Sequence, residues 1–143
     1  MRPRAAICGA TSNGHARSCN YRSGVPIPFP QNSLLAARVA LAGLDQAWGE
    51  AFCRALFHAE FADGRRIDDA ATVSDILAGL EIDPEGALAA ARSDAIKARL
   101  RAQTEEAQRL GRFGAPSFTT ADGELFWGND RLEPALRWAK AAR

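Results

Sequence analysis

The sequence predicts an α/β protein that is predominantly helical. Residues 32–110 carry apolar side chains at helical spacing, with no strand pattern among them. Two short β-prone runs follow, Ser117–Thr120 and Glu124–Trp127, joined by Ala121-Asp122-Gly123, which has hairpin turn chemistry. A final helix is predicted after the hairpin. The length of 143 residues suits one domain with a core of ordinary size.

The composition is that of a globular protein, with 47% hydrophobic and 24% charged residues. No apolar run approaches the ~18 residues that a membrane span needs, which argues against an integral membrane protein. Charge is unevenly distributed, because none of the 17 acidic residues precedes Asp45. No basic face large enough for nucleic acid is predicted in the remainder of the chain.

The acid-free N-terminal segment could also be a targeting sequence. Its arginines, serines and lack of acid are also typical of an organellar transit peptide, although an obvious amphipathic helix is missing. A secretory signal is disfavoured, because the apolar stretch Ala5–Cys8 is too short for its hydrophobic region.

Cys8, Cys19 and Cys53 form no C-x-x-C pair, so neither a redox dithiol nor a metal site is predicted. We expect a reduced, cytoplasmic setting.

The helical region is predicted to follow an extended passage. Prolines alternate through Val25–Pro30 and favour a polyproline-like conformation. Asn32 then offers a cap for a helix that runs to Gly43.

A second helix is predicted over Ala47–Phe61. Its apolar stripe consists of Trp48, Phe52, Leu56 and the neighbouring Phe57, with Phe61 at the end, and we interpret the first three as a core-packing surface. Cys53 and His58 lie on the same helix. A buried small hydrophobe and a satisfied histidine are the interpretations we favour over catalytic roles.

Further helices are predicted around Thr72–Leu80 and after Asp83. Asp83 followed by Pro84 is a strong helix start, since the acid can cap and proline suits the first position. Ala87–Leu110 can then be helical, with a break near Ser93 and a stop at Gly111.

The last helix is predicted near Asp130–Ala142. Asp130 could cap it, with Glu133 completing a capping box. Pro134 would remove a donor at the fourth helical position, so a loose first turn is expected. On these residues alone the cap is favoured over a ligand site.

The most informative stretch is Gly111-Arg112-Phe113-Gly114-Ala115-Pro116-Ser117-Phe118. Proline just before a strand cannot donate to the ladder. If the Ala115–Pro116 bond is cis, the N–H and C=O of Ala115 can face outward. An extended ligand could then pair with them as an added strand would.

The second informative stretch is Phe126-Trp127-Gly128-Asn129-Asp130-Arg131-Leu132, where a strand gives way to a helix. Free N–H groups at a helix start favour a carboxylate, while Asp130 could accept from an ammonium. Such a pair suits the α-amino-acid end of a γ-glutamyl group.

In combination, these stretches resemble the 2-hydroxychromene-2-carboxylate isomerases, relatives of the kappa-class glutathione transferases and of DsbA-like proteins. Phe29–Leu34 with Ala37-Arg38 resembles the start of that family's helical insertion. The resemblance implies a thioredoxin-like fold with a large all-helical insertion. Arg112 departs from the family, which usually has an apolar residue there.

The resemblance also implies a cofactor, a substrate and residue roles. Glutathione would be the cofactor and a small aromatic keto acid the substrate of a cis-trans isomerisation in aromatic hydrocarbon catabolism. Pro116 would be the cis-proline, and Ala115 would pair with the cysteinyl backbone of glutathione. Asn129 and Asp130 would hold the γ-glutamyl group. Asn32 would line the substrate pocket, although a helix cap explains it equally well.

The predicted organisation has three parts: an irregular segment 1–24, a helical insertion 25–111, and a C-terminal hairpin-helix unit 112–143. Nothing in the first part resembles the N-terminal β-α-β unit with which the family begins. We therefore assign no catalytic serine to Ser12, Ser18 or Ser23, and we expect this chain alone to be a weak or inactive isomerase.

An alternative class is a non-catalytic fragment or interaction module. A hairpin alone is marginal, and the open edge of Ser117–Thr120 invites pairing with another chain. A homodimer or another self-association through this edge is therefore expected. A thiol–disulfide oxidoreductase would suit the fold but needs a paired cysteine that is absent from the sequence.

Overall fold

The structure is a computed structural model that describes residues 29–142. Predictions that concern residues 1–28, including the irregular segment, Cys8 and Cys19, lie outside the described residues. The described residues divide into two compact units, one reaching Leu100 and one starting at Arg101. No helix in the described part of the chain is long and apolar enough to cross a membrane.

The first unit is helical, as the apolar spacing predicts. Its helices are α1 (Leu34–Leu44), α2 (Gly49–Phe61), α3 (Ala70–Gly79), α4 (Pro84–Arg92) and the first part of α5 (Asp94–Arg109). The predicted start of α2 is two residues early, because Ala47 has φ 63° and so cannot belong to a right-handed helix.

Side-chain acceptors bind free N–H groups at the starts of several of these helices. Asn32 Oδ1 accepts from the N–H of Leu34, the first residue of α1, at 3.0 Å, although the N-cap position itself is occupied by Ser33, which makes no side-chain cap. Asp83 accepts from the N–H groups of Glu85 and Gly86, which confirms the start before Pro84. The predicted break at Ser93 is also present, since α4 ends at Arg92 and α5 begins at Asp94.

The core of the first unit lies between α1, α2, α3 and α4. Its fully buried large side chains are Val39, Phe52, Val73 and Leu77. Leu56 is buried beside Phe52, and Trp48 packs edge-on against Phe52 with ring centroids 6.2 Å apart. Trp48, Phe52 and Leu56 of the predicted α2 stripe therefore form a packing surface, whereas Phe57 is 56% exposed and does not belong to it.

Gln31 fastens the start of the described chain to the loop between α2 and α3. Its Oε1 accepts from the N–H of Ile67 at 2.7 Å, and its Nε2 donates to the carbonyl of Arg65 at 3.4 Å. The preceding Phe29–Pro30 bond is cis, whereas the polyproline-like conformation predicted for Val25–Pro30 needs trans bonds. The expectation is therefore wrong at this bond.

The second unit contains the predicted hairpin. Strand β1 (Ser117–Thr119) pairs antiparallel with β2 (Leu125–Trp127), with Phe118 opposite Phe126. A 3₁₀ turn, Asn129–Arg131, leads into α6 (Leu132–Ala141). Together with the helices this gives the predominantly helical α/β architecture that the sequence predicts.

Helix α6 packs on one face of the hairpin. Trp138 lies 6.2 Å from Phe126 between ring centroids, and its Nε1 donates to Asp122 at 2.7 Å. Among the described residues of this unit, Ala135 is the one buried hydrophobic residue. The hairpin and α6 alone therefore enclose very little core.

Candidate functional site

The predicted ligand-binding loop precedes β1. The Ala115–Pro116 bond is cis, as the sequence predicts. Ser117 Oγ donates to the carbonyl of Gly114 at 2.5 Å, which closes the loop on itself. Ala115 lies between these contacts and is exposed. The loop therefore presents Ala115 at the start of the strand.

The backbone groups of β1 alternate between its two edges. The carbonyl of Pro116 accepts from Gly128, and the N–H of Thr120 donates to Glu124, so even-numbered residues of this strand face β2. Antiparallel pairing alternates along a strand. The backbone groups of Ser117 and Thr119 consequently lie along the opposite edge, and Ala115 precedes this edge across the cis bond. A ligand in extended conformation could add to this edge, as predicted for Ala115.

The second predicted element follows β2 directly. Gly128 has φ 115°, a conformation that side chains other than glycine rarely adopt. A Cβ at Gly128 would lie 2.7 Å from Asp130 Oδ1, so the carboxylate folds back against the Gly128 backbone. Asn129 and Asp130 begin the 3₁₀ turn and are exposed.

One hydrogen bond joins the two elements. The N–H of Gly128 donates to the carbonyl of Pro116 at 3.0 Å. Because β1 starts where β2 ends, Ala115-Pro116 and Asn129-Asp130 meet at the same end of the hairpin. The structure thus brings together four residues that the sequence predicts to share a site.

The capping role favoured for Asp130 is wrong. Helix α6 begins at Leu132, and its N-cap residue Arg131 makes no side-chain cap. The Asp130 carboxylate instead lies 3.5 Å from Arg131 Nε, and its side chain is 78% exposed. The loose first turn is confirmed as the 3₁₀ turn. Pro134 is the third residue of α6 rather than the fourth, so no helical donor is lost.

Asn32 belongs to the first unit, where its side-chain oxygen accepts from the first N–H of α1. This contact supports the capping interpretation. A role for Asn32 in lining a substrate pocket stays a prediction.

The surroundings of Cys53 and His58 in α2 agree with structural rather than catalytic roles. Burial raises the pKa of the Cys53 thiol, which disfavours the thiolate that a nucleophile needs. His58 Nδ1 lies 3.2 Å from Asp63 Oδ2 at the end of α2, on the surface. Residues 29–142 hold no cluster of His, Cys, Asp or Glu arranged to bind a metal.

A contact between Gly114 and Trp127 is a part of the site that sequence reasoning missed. A Cβ at Gly114 would collide with Nε1 of the Trp127 indole, and the Phe113 ring packs against the same indole in a tilted arrangement, with centroids 5.2 Å apart. The sequence signal for this contact is Gly114 itself, because a glycine is often needed where a side chain lies close against the backbone.

Comparison with known proteins gives matches of three kinds: a family model, a curated relative and a solved structure. The model of the DsbA-like thioredoxin domain family matches residues 17–137. A 2-hydroxychromene-2-carboxylate isomerase of Sphingobium xenophagum is 31% identical over 113 residues, which cover 76% of this chain and 56% of that protein. This chain therefore spans about half the length of the curated relative that it matches.

A solved structure of a 2-hydroxychromene-2-carboxylate isomerase superposes with a TM-score of 0.74 at 22% identity. The superposition covers 96% of this chain and 66% of the other. At this identity the likeness concerns the fold, which is the DsbA-like thioredoxin fold that the resemblance implies. The family match, which extends over most of the sequence, settles the classification: the chain belongs to the DsbA-like thioredoxin domain family.

Proposed function

We propose that this chain binds glutathione at the end of its hairpin and belongs to a glutathione-dependent 2-hydroxychromene-2-carboxylate isomerase. The observation that carries the proposal is the hydrogen bond from Gly128 to Pro116, which holds Ala115 and Asp130 at one end of the sheet. The backbone of Ala115 suits the cysteinyl part of a γ-glutamyl-cysteinyl segment, and the Asp130 carboxylate suits its γ-glutamyl end.

Three residues of the site have stated tasks in this proposal. The outward N–H and C=O of Ala115 pair with the cysteinyl backbone, as an added strand would. Asp130 accepts from the α-ammonium group, and the N–H groups at the start of the 3₁₀ turn face the α-carboxylate. Gly128 holds these groups in place, because its φ of 115° turns the chain sharply after β2.

Bound glutathione would supply a thiol that adds reversibly to the double bond of an aromatic keto acid, so that the bond can rotate before the thiol leaves. The residues described here would bind and orient the tripeptide backbone, and none of them is assigned to stabilising the thiolate.

Calorimetry tests the binding step. Asp130→Ala should weaken glutathione binding by about tenfold or more, because it removes the partner of a charged ammonium. Glu133→Gln, which removes a neighbouring exposed charge, is the matched control and should bind normally. Cysteinylglycine, which lacks the γ-glutamyl group, should bind Asp130→Ala and the parent chain equally. Equal glutathione affinity for Asp130→Ala and the parent would contradict the site.

A second candidate function is an interaction module that pairs through the edge of β1. The backbone groups of Ser117 and Thr119 face away from β2, and the second unit buries only Ala135 among its described hydrophobic residues. An added strand would satisfy these groups and enlarge the small sheet. We propose a second copy of this chain as the occupant.

Sedimentation equilibrium distinguishes the candidates. Thr119→Pro removes an outward N–H while leaving the hairpin bonds of its neighbours, so it should convert a dimer to monomer. Thr119→Val keeps the N–H and should remain dimeric. A parent chain that stays monomeric at high concentration would exclude this candidate without affecting the glutathione proposal.

A further inference from the structure

The side chain of Ser117 bonds back to the loop that precedes β1. Its Oγ donates to the carbonyl of Gly114 at 2.5 Å, three residues earlier in the chain. A serine hydroxyl has a single proton, and this bond uses it. Ser117 therefore keeps only acceptor capacity, so it cannot at the same time donate a hydrogen bond to the thiolate of a ligand.

The same bond fixes the direction of a second backbone group. The Gly114–Ala115 bond is trans, so the carbonyl of Gly114 and the N–H of Ala115 lie in one plane and point in opposite directions. Because the carbonyl points toward the Ser117 hydroxyl, the N–H of Ala115 points away from it. None of the described residues accepts from this N–H, and Ala115 is exposed. The donor is thus directed outward and open to a ligand.

The two residues that hold Gly114 form a directly opposed pair of the hairpin. Ser117 pairs with Trp127, and directly opposed side chains of an antiparallel sheet share a face. The hydroxyl of Ser117 binds the carbonyl of Gly114, while the indole of Trp127 lies where a Cβ at Gly114 would collide with Nε1. The loop is therefore folded over this face of the hairpin and held at two points.

The glycine at position 114 makes the Ser117 bond decisive for the peptide orientation. Glycine has no Cβ, so Gly114 itself offers little steric resistance to a flip of the peptide that joins it to Ala115. Such a flip would exchange the directions of the carbonyl and the N–H. It would also break the bond to Ser117. The hydroxyl therefore selects the orientation in which the N–H of Ala115 faces outward.

We propose that Ser117 is a positioning residue of the glutathione site, which keeps the N–H of Ala115 directed at the cysteinyl carbonyl. This inference rests on the proposed function and adds a residue to which that proposal gives no task. Ser117 acts through the carbonyl of Gly114 and needs no contact with the tripeptide. Loss of its hydroxyl lowers the fraction of chains whose loop is ready to bind, and the apparent affinity falls with that fraction.

The orientation of this peptide can be measured without a ligand. In a triple-resonance NMR spectrum of the full chain, one cross-peak joins the carbonyl carbon of Gly114 to the N–H of Ala115. Ser117→Ala should move this cross-peak, because the carbonyl loses its donor. Ser117→Thr keeps a hydroxyl on the same carbon and should restore the parent position. Ser74→Ala removes a hydroxyl from α3 and should leave the cross-peak unchanged.

Calorimetry measures the consequence for binding. Ser117→Ala should weaken glutathione binding about fivefold, the change in an equilibrium that one neutral hydrogen bond of ordinary strength produces. Cysteinylglycine should lose affinity by the same factor, because it contains the carbonyl that the N–H of Ala115 binds. Asp130→Ala should weaken glutathione alone, so the two variants act on different parts of the ligand. Ser117→Thr should bind both thiols like the parent chain, and urea unfolding verifies that each variant is folded.

An unmoved cross-peak in Ser117→Ala would show that the hydroxyl does not set the peptide orientation, whether or not the parent chain binds glutathione. Parent-like glutathione affinity in Ser117→Ala, together with a loss in Asp130→Ala, would overturn the inference and leave the glutathione site standing. Ser117→Thr that binds as weakly as Ser117→Ala would assign the effect to packing rather than to the hydroxyl. A parent chain that binds neither thiol would contradict the proposed function, and with it the role of Ser117.

Discussion

The indole ring of Trp127 lies so close to the backbone of Gly114 that a Cβ at position 114 would collide with Nε1. This contact places the last residue of β2 against the loop that presents Ala115. The loop is thus fixed from two sides, by the Trp127 ring and by the hydrogen bond from Gly128 to Pro116.

Gly114→Ala should therefore disturb the site. The added methyl group must displace Trp127 or the loop, and overpacking of this kind costs about 1–3 kcal/mol. Glutathione affinity and the Trp127 fluorescence should change together. Gly79→Ala is the control, because a Cβ there meets nothing within 4 Å. A Gly114→Ala chain with normal Trp127 fluorescence and normal binding would contradict the proposed support.

The contact between Asp122 and Trp138 should depend on pH. Hydrogen bonds from Thr120 and then from Trp138 hold the pKa of the Asp122 carboxyl below its ordinary value. A lowered folded pKa means that the ionised form stabilises the fold at higher pH. That contribution is present above the ordinary pKa of an aspartate and is lost as pH falls through the lowered pKa of the folded state.

An NMR titration of the Trp138 indole N–H checks this dependence. Its resonance should move at acid pH as the acceptor is protonated. Asp122→Asn, which cannot titrate, should abolish the movement. A Trp138 resonance that titrates equally in Asp122→Asn would show that another group is responsible.

Gln31→Ala should destabilise the first unit. The substitution leaves the N–H of Ile67 without its partner, and Ile67 is only 3% exposed. A buried donor without a partner costs about 1–3 kcal/mol. Urea unfolding measures the loss, and Gln108→Ala on the exposed surface of α5 should change stability by less than about 0.5 kcal/mol. Equal stabilities of the two variants would rule out the contribution of Gln31.

Two phenylalanines of α2 should respond very differently to truncation. Phe52 is fully buried against Trp48, so Phe52→Ala should cost about 3–5 kcal/mol. Phe57 is 56% exposed, and Phe57→Ala should cost less than about 1 kcal/mol. Thermal unfolding of the two variants measures both values. Similar losses would mean that the buried face of α2 is misassigned.

Local patterns in the sequence were sufficient to predict most elements. Asp83 before Pro84 determines a helix start, because an acidic acceptor and a fixed φ act within one turn. Ala121-Asp122-Gly123 determines the hairpin in the same way. The family resemblance, which rests on two contiguous motifs, correctly indicated the fold. Periodicity placed Phe52 in the core, but it could not decide how much of the adjacent Phe57 is covered.

Contacts between distant residues decided the rest. The capping role predicted for Asp130 failed because the chain forms a 3₁₀ turn first, and the turn depends on Gly128 bonding to Pro116 across the hairpin. Arg112 departs from the family pattern in sequence, and only its bond to Thr119 explains its position. Sequence alone determined the local conformations, whose energies depend on near neighbours. The tertiary structure decided which groups meet, because strand pairing brings together residues that are far apart in the chain.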